Sequence, residues 1–294
     1  MLEYNVTVDS LNVRVIEEGE GEPVLLIHGG TIGFSADMWR STMPALAKAG
    51  RRVIAYDQPG YAHSDDPPDF GLSYRQNFIV KFLDAQQIEK AALVGHSQAG
   101  GLVVASALSN PKRTNAVIVL GTGSLLPPPA DGAKGKEPAA PAAALSRDDT
   151  LALLKANLVR HELITSQLLD DYHRLCIGRH FTNAIKRAKA GLSASQGGTP
   201  LWRRLGEVSV PLLLMYGKQD RGSPAERLPA ARALAPQATF KLIEDCHHIV
   251  QWDQPDVFVD ASLAFLSEIP LDSAALTNNV QELSHGKNPL PRAH

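Results

Sequence analysis

The sequence predicts an α/β protein built on a mostly parallel, doubly wound, eight-stranded sheet with helices on both faces. Three observations carry this. Short apolar runs alternate with segments of helical periodicity along most of the chain. Most of those runs are hydrophobic throughout rather than alternating, as strands covered on both faces are. The residues able to do chemistry follow directly after the runs, at the carboxyl ends of strands, where such sheets gather function.

Taken in order, Val6–Val8 and Val13–Glu17 form an opening antiparallel pair. Val24–Ile27, Val53–Tyr56, Leu93–Gly95, Val117–Leu120, Leu212–Tyr216 and Phe240–Ile243 read as buried strands. Helical periodicity falls between them at Trp39–Ala49, Tyr74–Ile88, Gly100–Ser109, Ala225–Leu234 and Val257–Leu266. From Ser124 to about Pro200 the alternation stops. A Pro/Ala/Gly-rich stretch, Pro127–Ala144, reads as a surface insertion, and Thr150–Arg160, Thr165–Ile177 and Asn183–Ala194 read as helices. These divide the chain into a first core part (1–123), a helical cap over the site (124–200), a second core part (201–268) and a polar tail (269–294).

Whole-chain properties exclude several functions. With 29 basic against 31 acidic residues there is no basic stripe for nucleic acid. No run of 18 apolar residues suits a membrane span. Met1-Leu2-Glu3-Tyr4-Asn5 lacks the marks of a signal peptide, and two cysteines make no disulfide framework, so a reducing, cytoplasmic setting is expected.

The most informative string is Leu93-Val94-Gly95-His96-Ser97-Gln98-Ala99-Gly100-Gly101. It describes a strand turning sharply into a helix with Ser97 at the apex, flanked two places away by the small residues Gly95 and Ala99. Alone it could be a plain strand-to-helix turn, but a base and an acid follow. Asp220 ends the strand-and-turn Leu212–Gly217, and His248 follows the strand Phe240–Ile243. The order Ser97, Asp220, His248 suits a nucleophile whose proton is taken by an imidazole that a carboxylate orients. His247 stays open as the base, and Asp220 as a loop cap. Cys246-His247-His248 lacks zinc-ligand spacing, so no metal is expected. His28-Gly29-Gly30-Thr31-Ile32-Gly33 follows a strand and supplies a second oxyanion donor near Gly30, beside the N–H of Gln98. It lacks the lysine or glycine spacing of a phosphate loop, so no cofactor is expected.

Together with Trp39, Asp57-Gln58-Pro59-Gly60-Tyr61, Pro200–Leu205 and Cys246–Trp252, these motifs resemble the α/β-hydrolases up to about residue 268. Among them the pattern is most similar to the meta-cleavage product hydrolases. The resemblance implies hydrolysis of a C–C bond in a vinylogous 1,5-diketone from aromatic-ring degradation, a small-molecule substrate, and a homodimer or larger assembly. The chain departs from that family at His96 and Gln98, where an asparagine and an aromatic residue or methionine are usual. Tyr172 falls near the place of a cap arginine that binds the 2-oxo acid end, with Arg174 and Arg179 close by. Because a histidine before the serine is common in esterases and lactonases, those activities stand as alternatives. A non-catalytic binder and a cofactor-free oxygenase or lyase stand behind them. Gly29, Thr31, Phe34, His96, Tyr172 and Ile249 are candidate substrate contacts, although Phe34 and Ile249 could equally be packing. Trp252 reads as core, Asp57 and His63-Ser64-Asp65 as turn-shaping, and His161, His173 and His180 as solvated helix residues.

Overall fold

The computed structural model describes residues 1–129, 143–194, 199–222 and 224–269. Its strands are β1 (Leu2–Val8), β2 (Leu11–Glu18), β3 (Glu22–Ile27), β4 (Arg51–Tyr56), β5 (Ala91–His96), β6 (Thr114–Leu120), β7 (Leu212–Gly217) and β8 (Thr239–Ile243). They form one sheet in the order β1-β2-β4-β3-β5-β6-β7-β8. β2 pairs antiparallel with β1 and β4, and every later pairing is parallel. Asp9 and Ser10, at φ 52° and 69°, make the two-residue turn between β1 and β2. That positive-φ pair matches the right-handed twist of the strands it joins.

The helices are α1 (Met43–Lys48), α2 (Leu72–Ala85), α3 (Gln98–Ser109), α4 (Arg147–Lys155), α5 (Ser166–Arg174), α6 (Arg179–Ala194), α7 (Pro224–Leu234), α8 (Val250–Asp253) and α9 (Pro255–Ser267). Successive strand residues point to opposite faces, so the strands feed two cores. Leu25, Ile27, Leu93, Val117 and Leu214 pack with Phe78, Phe82 and Val103 from α2 and α3. Leu26, Val94, Ile118, Leu120 and Met215 pack with Trp39 and Phe258 on the other face. Leu154, Leu158, Leu169 and Tyr172, from the segment between β6 and β7, join this second cluster.

Element type follows the sequence reading, and boundaries differ where tertiary contacts intervene. The helix expected over Trp39–Ala49 is a short 3-10 turn, Ala36–Trp39, then α1. Ser35 caps the turn through the Asp37 N–H, and Pro44 restarts the helix in its first turn. The helix expected to reach Arg160 stops at Lys155, because Asn157, Val159 and Arg160 give backbone groups to the segment after β8. α6 begins at Arg179 instead of Asn183, four residues early. Most of the Pro/Ala-rich stretch and the tail from residue 270 lie outside the described residues. No helix among the described residues is long and apolar enough to cross a membrane.

Candidate active site

Ser97 sits between β5 and α3 at φ 55° and ψ −125°, a left-handed backbone that costs about 1–3 kcal/mol for a residue with a side chain. Its surroundings hold it there. The Ser97 N–H donates to Leu120 O at 2.7 Å, and the Thr122 hydroxyl donates to Ser97 O at 2.6 Å. At Gly95 a Cβ would lie 2.5 Å from the Ala99 carbonyl oxygen, so only glycine fits beneath the turn.

The sheet brings the three distant polar residues together. His248 Nε2 lies 2.9 Å from Ser97 Oγ, and His248 Nδ1 lies 3.1 Å from each Asp220 oxygen. The carboxylate can only accept, so Nδ1 carries the proton and Nε2 is left to accept from the serine hydroxyl. His248 and Asp220 are 5% and 7% exposed, which shields this bond from competing water. His247 is excluded from it: its N–H donates to Asp253 Oδ2 at 2.8 Å, and its backbone runs against Gly217.

The imidazole's own backbone is held by groups that carry no sequence signature. The carbonyl of Asn157, just past α4, accepts the N–H groups of both His248 and Ile249 at 3.2 Å. Arg221, next to Asp220, donates to Asn157 Oδ1 at 2.9 Å. Asp253, at the end of α8, accepts from the N–H groups of Val159, Arg160 and His247. On the other side His96 Nε2 donates to the His248 carbonyl at 3.0 Å. Burial, and then the neighbouring His248, push the His96 pKa well below its ordinary value. His96 is thus a neutral side chain, its ring centroid 5.0 Å from that of His248.

The glycine loop after β3 is fixed from both sides. His28 Nδ1 donates to Gly29 O at 2.8 Å, while its Nε2 accepts the Gln58 N–H at 3.0 Å. Complete burial lowers the His28 pKa to about 4, which keeps that donor–acceptor arrangement neutral. The Tyr61 hydroxyl donates to Gly30 O at 3.0 Å. A Cβ on Gly29 would press on Ser97, and one on Gly30 would lie 2.2 Å from Gln98 Oε1. Gly29, Gly30 and Gln98 therefore stand beside the serine, and Thr31 follows them, its carbonyl accepting the Phe34 N–H.

Phe34 packs against His96 and edge-on to Tyr172, with centroids 5.3 and 6.0 Å apart. Tyr172 is buried against Gly33. Ile249 is fully buried in the core and is held through its backbone N–H. Of the two arginines near Tyr172, Arg174 forms an exposed pair with Asp171, and Arg179 binds Asp66 and the carbonyls of Ala62 and Ser64. Asp57 is fully buried and accepts from Arg14, the Ala36 N–H and the His63 N–H, which makes it a scaffold residue. Burial alone would raise its carboxyl, yet His63, Arg14 and Ala36 hold it below the ordinary value.

A profile described as the alpha/beta hydrolase fold matches residues 22–255. The chain is 32% identical over 278 residues to a 2-hydroxy-6-oxononadienedioate/2-hydroxy-6-oxononatrienedioate hydrolase of Paraburkholderia phymatum, covering 88% of this chain and 92% of that protein. It is 31% identical over 275 residues to a 2-hydroxy-6-oxo-6-phenylhexa-2,4-dienoate hydrolase of Burkholderia cepacia, covering 88% and 93%. Among solved structures, the meta-cleavage product hydrolase of Pseudomonas fluorescens IP01 superposes with a TM-score of 0.74 at 25% identity, covering 91% of this chain and 98% of that one.

Proposed function

This chain belongs to the α/β hydrolase fold family and is a hydrolase, and from that premise we propose that Ser97, His248 and Asp220 form its catalytic triad, acting on a C–C bond in a ring-fission product. The observation that carries the reading is the continuous hydrogen-bond line from Ser97 Oγ through His248 to Asp220. In this reading His248 Nε2 takes the Ser97 proton as Oγ adds to a ketone carbon. Asp220 steadies the imidazolium. The N–H groups of Gln98 and Gly30 hold the resulting oxyanion. From the vinylogous diketone (2-oxo) tautomer, collapse breaks the adjacent C–C bond, its electron pair passes into the enone to give a dienolate, and His248 returns the proton to that fragment. Water, deprotonated by His248, then attacks the acyl carbon, and the proton passes from His248 to Ser97 Oγ as the acid is released. The helices between β6 and β7 act as the cap that excludes bulk water.

The substrate class rests on the relatives, whose names specify hydroxy-oxo-dienoate hydrolysis. One observation favours a second reading, ester or lactone hydrolysis. Where the resemblance calls for a carboxylate-binding arginine, the chain has the aromatic Tyr172, packed edge-on to Phe34. Parallel turnover assays separate the two. A ring-fission dienoate hydrolysed far faster than p-nitrophenyl esters supports C–C cleavage, and the reverse order supports the esterase. A fluorophosphonate that fails to label Ser97 while turnover persists would overturn the nucleophile assignment.

A further inference from the structure

Arg75, on α2, is 3% exposed and touches no carboxylate within hydrogen-bonding distance among the described residues. A buried cation without an acid partner is costly and calls for a reason. Its two bonds lead to the two segments credited above with holding the oxyanion. Nη2 donates to Gln98 Oε1 at 2.5 Å, and Nη1 donates to the Tyr61 hydroxyl at 3.2 Å. That hydroxyl in turn donates to Gly30 O at 3.0 Å, and its ring is covered by the Arg187 guanidinium of α6 at 3.7 Å. The peptide planes on both sides of Gly30 are thereby fixed, one by His28 and the other by Tyr61.

We propose that Arg75 is a positioning residue that braces the oxyanion hole. It clamps Gln98 and the Gly30 loop at one spacing and sets a positive charge behind both, where negative charge develops during reaction. This rests on the oxyanion assignment made under Proposed function. The design follows general physics. Pre-aligned donors in a dry site need no reorganisation as the oxyanion forms, and hydrogen bonds in a chain strengthen one another. The absence of a carboxylate is what the role requires, since an acid partner would cancel the field at the oxyanion.

The test compares Arg75→Met, Arg75→Lys and Tyr61→Phe with the wild type, using a neutral p-nitrophenyl ester and a trifluoromethyl ketone that forms an oxyanion on Ser97. Arg75→Met is expected to lower kcat by about 10- to 100-fold, the range of a partly lost oxyanion contact, with KM changed less than about threefold. Its affinity for the ketone should fall in parallel with kcat/KM, and Arg75→Lys should recover part of both. Tyr61→Phe should show a smaller loss that vanishes in the Arg75→Met background. The proposal fails if folded Arg75→Met keeps kcat within about threefold. It also fails if the loss on the neutral ester lies in KM alone, which would make Arg75 a substrate-binding residue and not an oxyanion brace. An inactive wild type that forms no ketone adduct would instead overturn the triad reading.

Discussion

Replacing Asp253 by asparagine tests how the inserted segment and the imidazole loop are fastened together. The side chain is 1% exposed and accepts three backbone N–H groups: Val159 at 3.0 Å and Arg160 at 3.1 Å on Oδ1, and His247 at 2.8 Å on Oδ2. An asparagine keeps one acceptor oxygen. If it serves Val159 and Arg160, the new NH2 faces the His247 N–H, and that buried donor is orphaned at about 1–3 kcal/mol. The two remaining bonds lose their charge assistance, which was worth roughly half their strength. The sum is a destabilisation of about 2–4 kcal/mol. Urea unfolding followed by tryptophan fluorescence measures it as a lower midpoint at unchanged slope. Since His247 adjoins His248, kcat should fall several-fold with KM nearly constant. A loss below about 0.5 kcal/mol would refute the claim that this carboxylate is the fastener.

Other consequences can be measured directly. Ser97→Ala should cut kcat by at least about 10³-fold, and Asp220→Asn by about 10⁴-fold through the wrong His248 tautomer; steady-state kinetics on the preferred substrate decide both. Gly95→Ala should destabilise the fold by about 1–3 kcal/mol and lower kcat, because the methyl meets backbone 2.5 Å away; wild-type thermal stability would contradict this. His28 is lowered by burial from 6.5 to about 4, so the unfolded chain binds one more proton than the folded one between those values. Its contribution is fully present above about pH 6.5 and is lost as pH falls toward 4, roughly 3 kcal/mol in all. His96 works in the same direction. In His28→Asn, stability should depend less steeply on pH across that window.

Much of the architecture was legible because its signals are local. Continuous apolar runs, helical stripes between them, and small residues around Ser97 are all set within a few residues of each other. They yield element type, strand count and the sheet rim on which Ser97, Asp220 and His248 stand. Where elements end was less legible. α4 stops at Lys155 because Asn157, Val159 and Arg160 turn their backbone groups toward residues about 90 positions away. No window of sequence contains that competition.

The choice within His247-His248 shows the same division. In the sequence, the apolar Ile249 and Val250 after His248 favour it as the base, with His247 left as the alternative. In the fold, Asp253 takes one backbone N–H and Asn157 the other, so one ring meets Asp220 and the other does not. Arg75 gave no sign in the sequence, where it is one polar residue on an amphipathic helix. Sequence alone determined which chemistry the chain can carry, since residue types and their order along the strands are written there. Tertiary structure decided which buried donors, acceptors and charges meet, because those partnerships follow from packing between segments far apart in the chain.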